Sequence, residues 1–87
     1  MGNWWPLARI KNISEEYPYA LDPALSRVAT KSLFFLDHCI WCWAWAVICT
    51  DDELCGSVVV VGSSDRIVAP SFSEFVARYT KDWGSVA

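Results

Sequence analysis

The feature that most restricts how this chain can fold is the apolar stretch HCIWCWAWAVIC, residues 38–49. It holds three of the four cysteines, the single histidine and half of the six tryptophans. A helix through this stretch would be apolar on every side, and it would need burial all round in a chain of only 87 residues. A strand needs cover on only two faces. The stretch therefore predicts a buried strand rather than a helix.

The predicted strand separates large side chains from small ones, because successive residues of a strand point to opposite faces. The two faces are Cys39, Trp41, Trp43, Trp45, Val47 and Cys49 on one side, and Ile40, Cys42, Ala44, Ala46 and Ile48 on the other. Neither face is polar, so we expect a central strand that is covered on both sides. The small face should let a helix approach closely, and the large face should supply bulk.

The four cysteines, Cys39, Cys42, Cys49 and Cys55, raise the question of a metal or redox site. On a strand the two thiols of the C-x-x-C point to opposite faces, whereas redox C-x-x-C motifs open a helix. Structural zinc usually takes two close ligand pairs, and the sequence has no second tight pair. We therefore expect buried core thiols, no metal and no cofactor. The alternative is a small metal or redox domain built on the four cysteines with His38. A hairpin turn between Cys49 and Cys55 would bring those two thiols near each other.

The C-terminal half contains the best-defined elements. A run of four valines, followed by a second short apolar run, predicts a hairpin over residues 55–62 and 66–69. Ser71 and Glu74 have the spacing of a capping box, which predicts a helix start, and Arg78 is an i,i+4 partner for Glu74. The predicted core comprises Trp41, Trp43, Trp45, Phe72, Phe75, Val76 and Tyr79, and Trp83 falls on the same helical face.

The first third of the chain is mixed. Pro6 suits the first position of a short helix that ends before Pro18, and Asp22 suits the N-cap of a second one with Leu25 and Val28 facing inward. The predicted fold class is therefore α+β, in one domain over residues 1–87. It has one or two short helices and loops at 1–31, an antiparallel or mixed sheet of about four strands at 32–69, and a helix at 71–83 packed on the sheet.

Charge and motifs argue against several classes of function. The net charge is −3, and the chain lacks the Lys/Arg field that a nucleic-acid partner requires. There is no phosphate-binding glycine loop and no nucleophile motif, so we predict no enzyme and no catalytic residue. The apolar stretch at 33–49 is short for a membrane helix and contains Asp37. The N-terminus does not resemble a signal peptide, which predicts a cytoplasmic protein with no membrane role.

Two groups of residues are candidates for binding a partner protein. Asp51, Asp52 and Glu53 form an acidic turn that suits a basic protein surface. Trp4 and Trp5 are either tucked into the core or available as binding anchors. Hydrophobic residues make up 54% of the chain, which indicates either a tight core or apolar surface that is covered by a partner or by a second copy in a homodimer.

The order of these pieces resembles the SUKH superfamily. The segment LCGSVVVVGSSDRIVAPSFSEFVARYTKD is similar to the C-terminal end of that family, through Gly56, Val58, Val60, Ala69, Ser71, Phe72, Glu74 and Phe75. Trp43, Trp45 and Ala46 match the aromatic central strand, and Trp5, Pro6, Leu7, Ile10 and Tyr17 match a stretch near the N-terminus. The usual N-terminal helix of the family has no counterpart, so the chain resembles a compact member.

The resemblance implies a binding protein rather than an enzyme. The family includes a regulator of fungal cell-wall assembly and many bacterial immunity proteins, which bind and neutralise cognate polymorphic toxins, often nucleases. No catalytic residue carries over to this sequence. The expected function is therefore a non-catalytic, protein-binding immunity protein, and the missing N-terminal helix makes a dimer through uncovered sheet surface plausible.

Overall fold

The computed structural model describes residues 2–6, 10–17, 23–38, 42–62 and 65–87. The elements in chain order are β1 (Gly2–Trp4), α1 (Ile13–Glu16), α2 (Pro23–Ser26), a 3₁₀ turn (Ala29–Lys31), β2 (Ser32–His38), β3 (Trp43–Ile48), β4 (Val58–Val61), β5 (Arg66–Ala69), α3 (Phe72–Lys81) and a second 3₁₀ turn (Trp83–Val86). The strands form one antiparallel sheet in the order β1-β2-β3-β4-β5. The predicted α+β class, with an antiparallel sheet and a C-terminal helix, is confirmed.

The apolar stretch does not form one long strand. Its first residue, His38, ends β2, and β3 begins only at Trp43. β2 continues to His38, whose carbonyl accepts a hydrogen bond from the N–H of Cys42 at 2.8 Å. A turn therefore separates β2 from β3, which begins only at Trp43. The prediction that Cys42 lies within the strand is wrong. Cys39 and Trp41 lie outside the described residues.

Within β3 the predicted alternation is confirmed. Trp45 is fully buried on the side of α3, and Trp43 and Val47 are partly buried beside it. Ala44 and Ala46 are fully buried on the opposite side, against the N-terminal layer. That layer includes the buried residues Trp5, Ile13, Leu25, Val28 and Ala29. The small alanine side chains leave room for this irregular layer, while the tryptophans fill the space below the longer helix.

Helix α3 begins as predicted and ends earlier than predicted. The hydroxyl of Ser71 accepts the N–H of Glu74 at 3.1 Å, which caps the helix. The carboxylate of Glu74 pairs with the guanidinium of Arg78 at 3.1 Å, on the outer face. The helix ends at Lys81, with Asp82 as its C-cap, so Trp83 belongs to the following 3₁₀ turn. Of the predicted core residues, Phe75 is fully buried, while Val76 and Tyr79 are partly buried against the same cluster.

The C-terminal 3₁₀ turn is anchored in the core. Val86 is fully buried, and its carbonyl accepts a hydrogen bond from Nε1 of Trp45 at 2.8 Å. This bond joins positions 41 residues apart. It gives the buried indole N–H of Trp45 an acceptor, and buried tryptophans usually have one. Because Trp83 is the first residue of this 3₁₀ turn, the bond between Trp45 and Val86 helps to position Trp83.

The N-terminal segment differs most from the sequence-based expectation. Its first described residues form β1, a fifth strand that pairs with β2, and Pro6 lies outside any helix. The single turn α1 starts only at Ile13, after an Asn12 capping box. Asp22 lies outside the described residues. No helix within the described ranges is both long and apolar enough to cross a membrane.

Candidate interaction surface

The side chains of the adjacent residues Trp4 and Trp5 lie on opposite sides of the sheet. Trp5 is only 6% exposed, and its Nε1 donates a hydrogen bond to Oδ2 of Asp37 at 2.6 Å. Trp4 is 53% exposed, and its ring lies 5.9 Å from that of Phe35 and 6.0 Å from that of Tyr79. Of the two tryptophans that the sequence offers as binding anchors, Trp4 is therefore exposed to a partner. Trp5 belongs to the core.

Three exposed aromatic side chains lie on the β1–β2 side of α3. Phe35 of β2 contacts both Trp4 and Phe72, the latter at 5.2 Å between ring centroids. Phe72 is 43% exposed, although the sequence placed it in the core, and Trp83 is 48% exposed. We call Trp4, Phe72 and Trp83 the aromatic edge. Phe72 and Trp83 fall at the two ends of α3, and Trp4 contacts the helix between them.

His38 supports the Trp83 end of the aromatic edge. Its ring stacks on Trp43 at 4.4 Å and on Trp83 at 4.7 Å, with interplanar angles of 13° and 25°. In the β1–β2 register His38 lies opposite Gly2, so this stack borders the same edge strand. Burial lowers the pKa of His38, which favours the neutral imidazole, and the neighbouring Asp37 opposes that shift. Nδ1 of His38 and Nε1 of Trp43 are buried without a hydrogen-bond partner among the described residues.

The opposite edge of the sheet, strand β5, has a different character. The guanidinium of Arg78 donates a hydrogen bond to the carbonyl of Val68 at 2.7 Å. Arg66 and Ile67 are exposed, and Ile67 is the large apolar side chain at this edge, 44% exposed. Exposed charged side chains and β-bulges are two ways in which natural sheets protect an edge, and β5 has both, since Arg66 is exposed and the β4–β5 register shifts between Val58 and Val59.

The acidic turn lies between β3 and β4 and partly serves its own structure. Oδ1 of Asp52 accepts hydrogen bonds from the Thr50 hydroxyl at 2.6 Å and the Leu54 N–H at 3.0 Å. These bonds lower the pKa of the Asp52 carboxyl, since they favour its charged form. Asp51 and Glu53 are exposed on the same turn.

Cations face this acidic turn. Asp51 and Asp52 line a shallow cleft whose other charged lining residues are Arg27 and Lys31. The cleft belongs to the side of the N-terminal layer, whereas Trp4 packs on the side of α3. The two groups of predicted binding residues therefore do not form one surface.

Three of the four cysteines are described by the structure, and these three lie outside the core. Cys42, Cys49 and Cys55 are all exposed, so the prediction of buried core thiols is wrong for these three. They occupy a turn and the loop between β3 and β4, where side chains escape the cover of the two layers. Within the described ranges, no three His, Cys, Asp or Glu side chains group together in a way that could hold a metal ion. Cys39, the remaining member of the proposed set, lies outside those ranges.

No family model, no curated protein and no solved structure matches this chain.

Proposed function

We propose that this chain is a non-catalytic protein-binding module that contacts its partner through the aromatic edge. The observation that carries the proposal is the exposure of Trp4, Phe72 and Trp83 along one side of the molecule, at 53%, 43% and 48%. Large aromatic side chains supply most of the binding free energy in many protein interfaces. They are held here by buried rings, so little conformational entropy is lost when a partner covers them.

The sequence resemblance to the SUKH superfamily gives the partner a class. We propose a cognate bacterial polymorphic toxin, neutralised in the cytoplasm by an immunity protein that covers its effector domain. An immunity protein of this kind needs surface complementarity and no catalytic residue. The acidic turn, Asp51 to Glu53, supports a secondary role in attracting a basic partner, although the facing cations Arg27 and Lys31 reduce its field.

The test is direct binding between the purified chain and the isolated effector domain of the toxin encoded beside its gene. Trp4→Ala and Trp83→Ala should each weaken the affinity about 30-fold, the usual size of an anchor residue's effect. Isothermal titration calorimetry measures both affinities, and circular dichroism checks that each variant is folded.

The matched control is Ile67→Ala on β5, an apolar residue of similar exposure at the opposite edge. It should leave the affinity within about twofold of the native value. Equal losses in all three variants would argue against a defined binding edge. Absence of any binding to the effector domain would remove the toxin from the proposal.

A further inference from the structure

We propose that the cleft beside the acidic turn binds a small zwitterion, of the class of free amino acids. The cleft has a volume of about 390 Å³, and its lining residues are Arg27, Val28, Lys31, Thr50, Asp51 and Asp52. One wall therefore carries two cations, and the other carries two carboxylates. This site is separate from the aromatic edge and does not depend on the proposed partner.

Backbone hydrogen bonds hold the two walls of the cleft together at their base. The N–H of Cys49 donates to the carbonyl of Lys31 at 2.7 Å, and the N–H of Lys31 donates to the carbonyl of Val28 at 3.0 Å. The next residue, Ser32, pairs with Ile48 in the sheet. Val28 is buried, so the wall that carries the cations is anchored in the core. The cleft is therefore largely preformed, as small-molecule sites usually are.

The carboxylate wall is oriented by contacts within its own turn. Oδ1 of Asp52 accepts hydrogen bonds from the Thr50 hydroxyl at 2.6 Å and from the Leu54 N–H at 3.0 Å. These two bonds lower the pKa of the Asp52 carboxyl most, and the charge of Arg27 lowers that pKa further. Asp52 is therefore ionised at neutral pH. Both bonds are made to Oδ1, so Oδ2 is available to a ligand ammonium group.

The opposite charges face each other across the cleft without direct contact. Arg27, Lys31, Asp51 and Asp52 are all exposed and all lie within the described part of the chain. No ion pair within 4.0 Å joins a cation of one wall to a carboxylate of the other. A ligand that carries both charges can bridge this gap, with its carboxylate on the cationic wall and its ammonium group on the acidic wall.

The balance of charge favours a zwitterion over a simple ion. The two cations and two carboxylates of the lining give the cleft a formal charge of zero. An anion that pairs with Lys31 is repelled by the acidic turn, and a metal cation on that turn is repelled by Arg27. A compact ligand fits best, because a single hydrogen bond between Cys49 and Lys31 joins the bases of the two walls. The apolar lining residue, Val28, is buried, so the side chain of a bound amino acid faces solvent.

The experiment titrates the full chain with glycine at neutral pH and follows the backbone amide signals by NMR. We expect saturable shifts at residues 27–31 and 49–54. The Kd should be about 1–10 mM, because exposed ion pairs are individually weak. Acetate and methylammonium, which each carry one of the two charges of glycine, are titrated at matched ionic strength. Each should bind at least about tenfold more weakly than glycine.

Two variants test whether the charges of the cleft are responsible. Arg27→Gln/Lys31→Gln removes both cations from one wall, so the affinity for glycine should fall about tenfold. The control is Lys81→Gln, which removes an exposed cation from α3 and should leave the Kd within about twofold of the native value. The proposal is overturned if glycine causes no saturable shift up to about 50 mM. It is also overturned if acetate alone causes the same shifts, or if the control loses as much affinity as the double variant.

Discussion

The two edges of the sheet differ in how they meet solvent. At β5 the guanidinium of Arg78 in α3 donates a hydrogen bond to the carbonyl of Val68, and Arg66 is exposed on the strand itself. At β1 the neighbouring surface is aromatic, with Trp4 half exposed beside α3. If the chain binds a partner as proposed, the aromatic edge is the side that we expect to be covered, because exposed apolar patches mark interaction surfaces. Among the described residues, the exposed rings Trp4, Phe72 and Trp83 therefore lie on the side of the sheet away from the contact between Arg78 and Val68.

The largest expected effect comes from removing the support beneath the aromatic edge. Trp45 is fully buried, contacts Tyr79 at 5.5 Å and anchors the C-terminal 3₁₀ turn through Val86. Trp45→Ala should lower the free energy of unfolding by about 3–5 kcal/mol, as measured by urea denaturation. The matched change at the exposed Trp83, Trp83→Ala, should cost less than about 1 kcal/mol. Equal losses would contradict the assignment of one tryptophan to the core and the other to the surface.

The next effect tests what holds β1 in place. Asp37→Ala removes the acceptor of the Trp5 Nε1 hydrogen bond and leaves a buried donor unsatisfied, at a cost of about 2 kcal/mol. Because β1 carries Trp4, the same change should also weaken partner binding. Asp37→Asn keeps an acceptor oxygen, so it should retain a measurable part of the stability. If the alanine variant matched the native chain in urea denaturation, the bond would not be what anchors β1.

A smaller effect should follow from opening the opposite edge. Arg78→Ala removes the hydrogen bond to Val68 and the exposed pair with Glu74, so we expect a loss of about 1 kcal/mol. It also exposes the β5 carbonyl, and sedimentation velocity should then detect more self-association than in the native chain. Lys81→Ala removes an exposed cation from the same helix and is the control. Self-association of both variants to the same degree would attribute the effect to charge alone.

The smallest effect is a pH dependence at the Trp83 end of the aromatic edge. Burial lowers the pKa of His38 in the folded chain below its ordinary value of 6.5. The unfolded chain therefore binds a proton first as the pH falls through about 6.5, so the stability contributed by the neutral ring is present at pH 7 and decreases below that value. Thermal melting from pH 7.5 to 5.5 should show this slope in the native chain, which has one histidine. His38→Gln should lose it, and an unchanged slope would assign the proton to another group.

Local signals in the sequence predicted the C-terminal half well. The cap at Ser71, the valine run of β4 and the i,i+4 pair of Glu74 and Arg78 all depend on neighbours within a few residues. The separation of Trp45 from Ala46 was also predictable, because alternation is a property of any extended strand. The structure agrees with these predictions because tertiary packing favours the same conformation as the local sequence does.

The remaining features depend on contacts between distant parts of the chain. The bond from Trp5 to Asp37 spans 32 residues, and β1 is a strand of only three residues. Neither leaves a periodic pattern to detect. Residues 39–42 include no glycine or proline, so no local turn signal predicts that His38 and Trp43 belong to different strands. The exposure of Cys42 follows from the end of β2, and that of Cys49 and Cys55 follows from the loop after β3.

Hydrogen exchange of the chain with and without the toxin effector domain tests most directly whether the aromatic edge contacts the partner. We expect slower exchange in the complex at residues 2–4 of β1 and at 83–86, with no change at 66–69 of β5. Comparing the two edges in a single sample controls for any general stabilisation by binding. Slower exchange confined to β5, with residues 2–4 unchanged, would contradict the assignment of the aromatic edge as the binding surface.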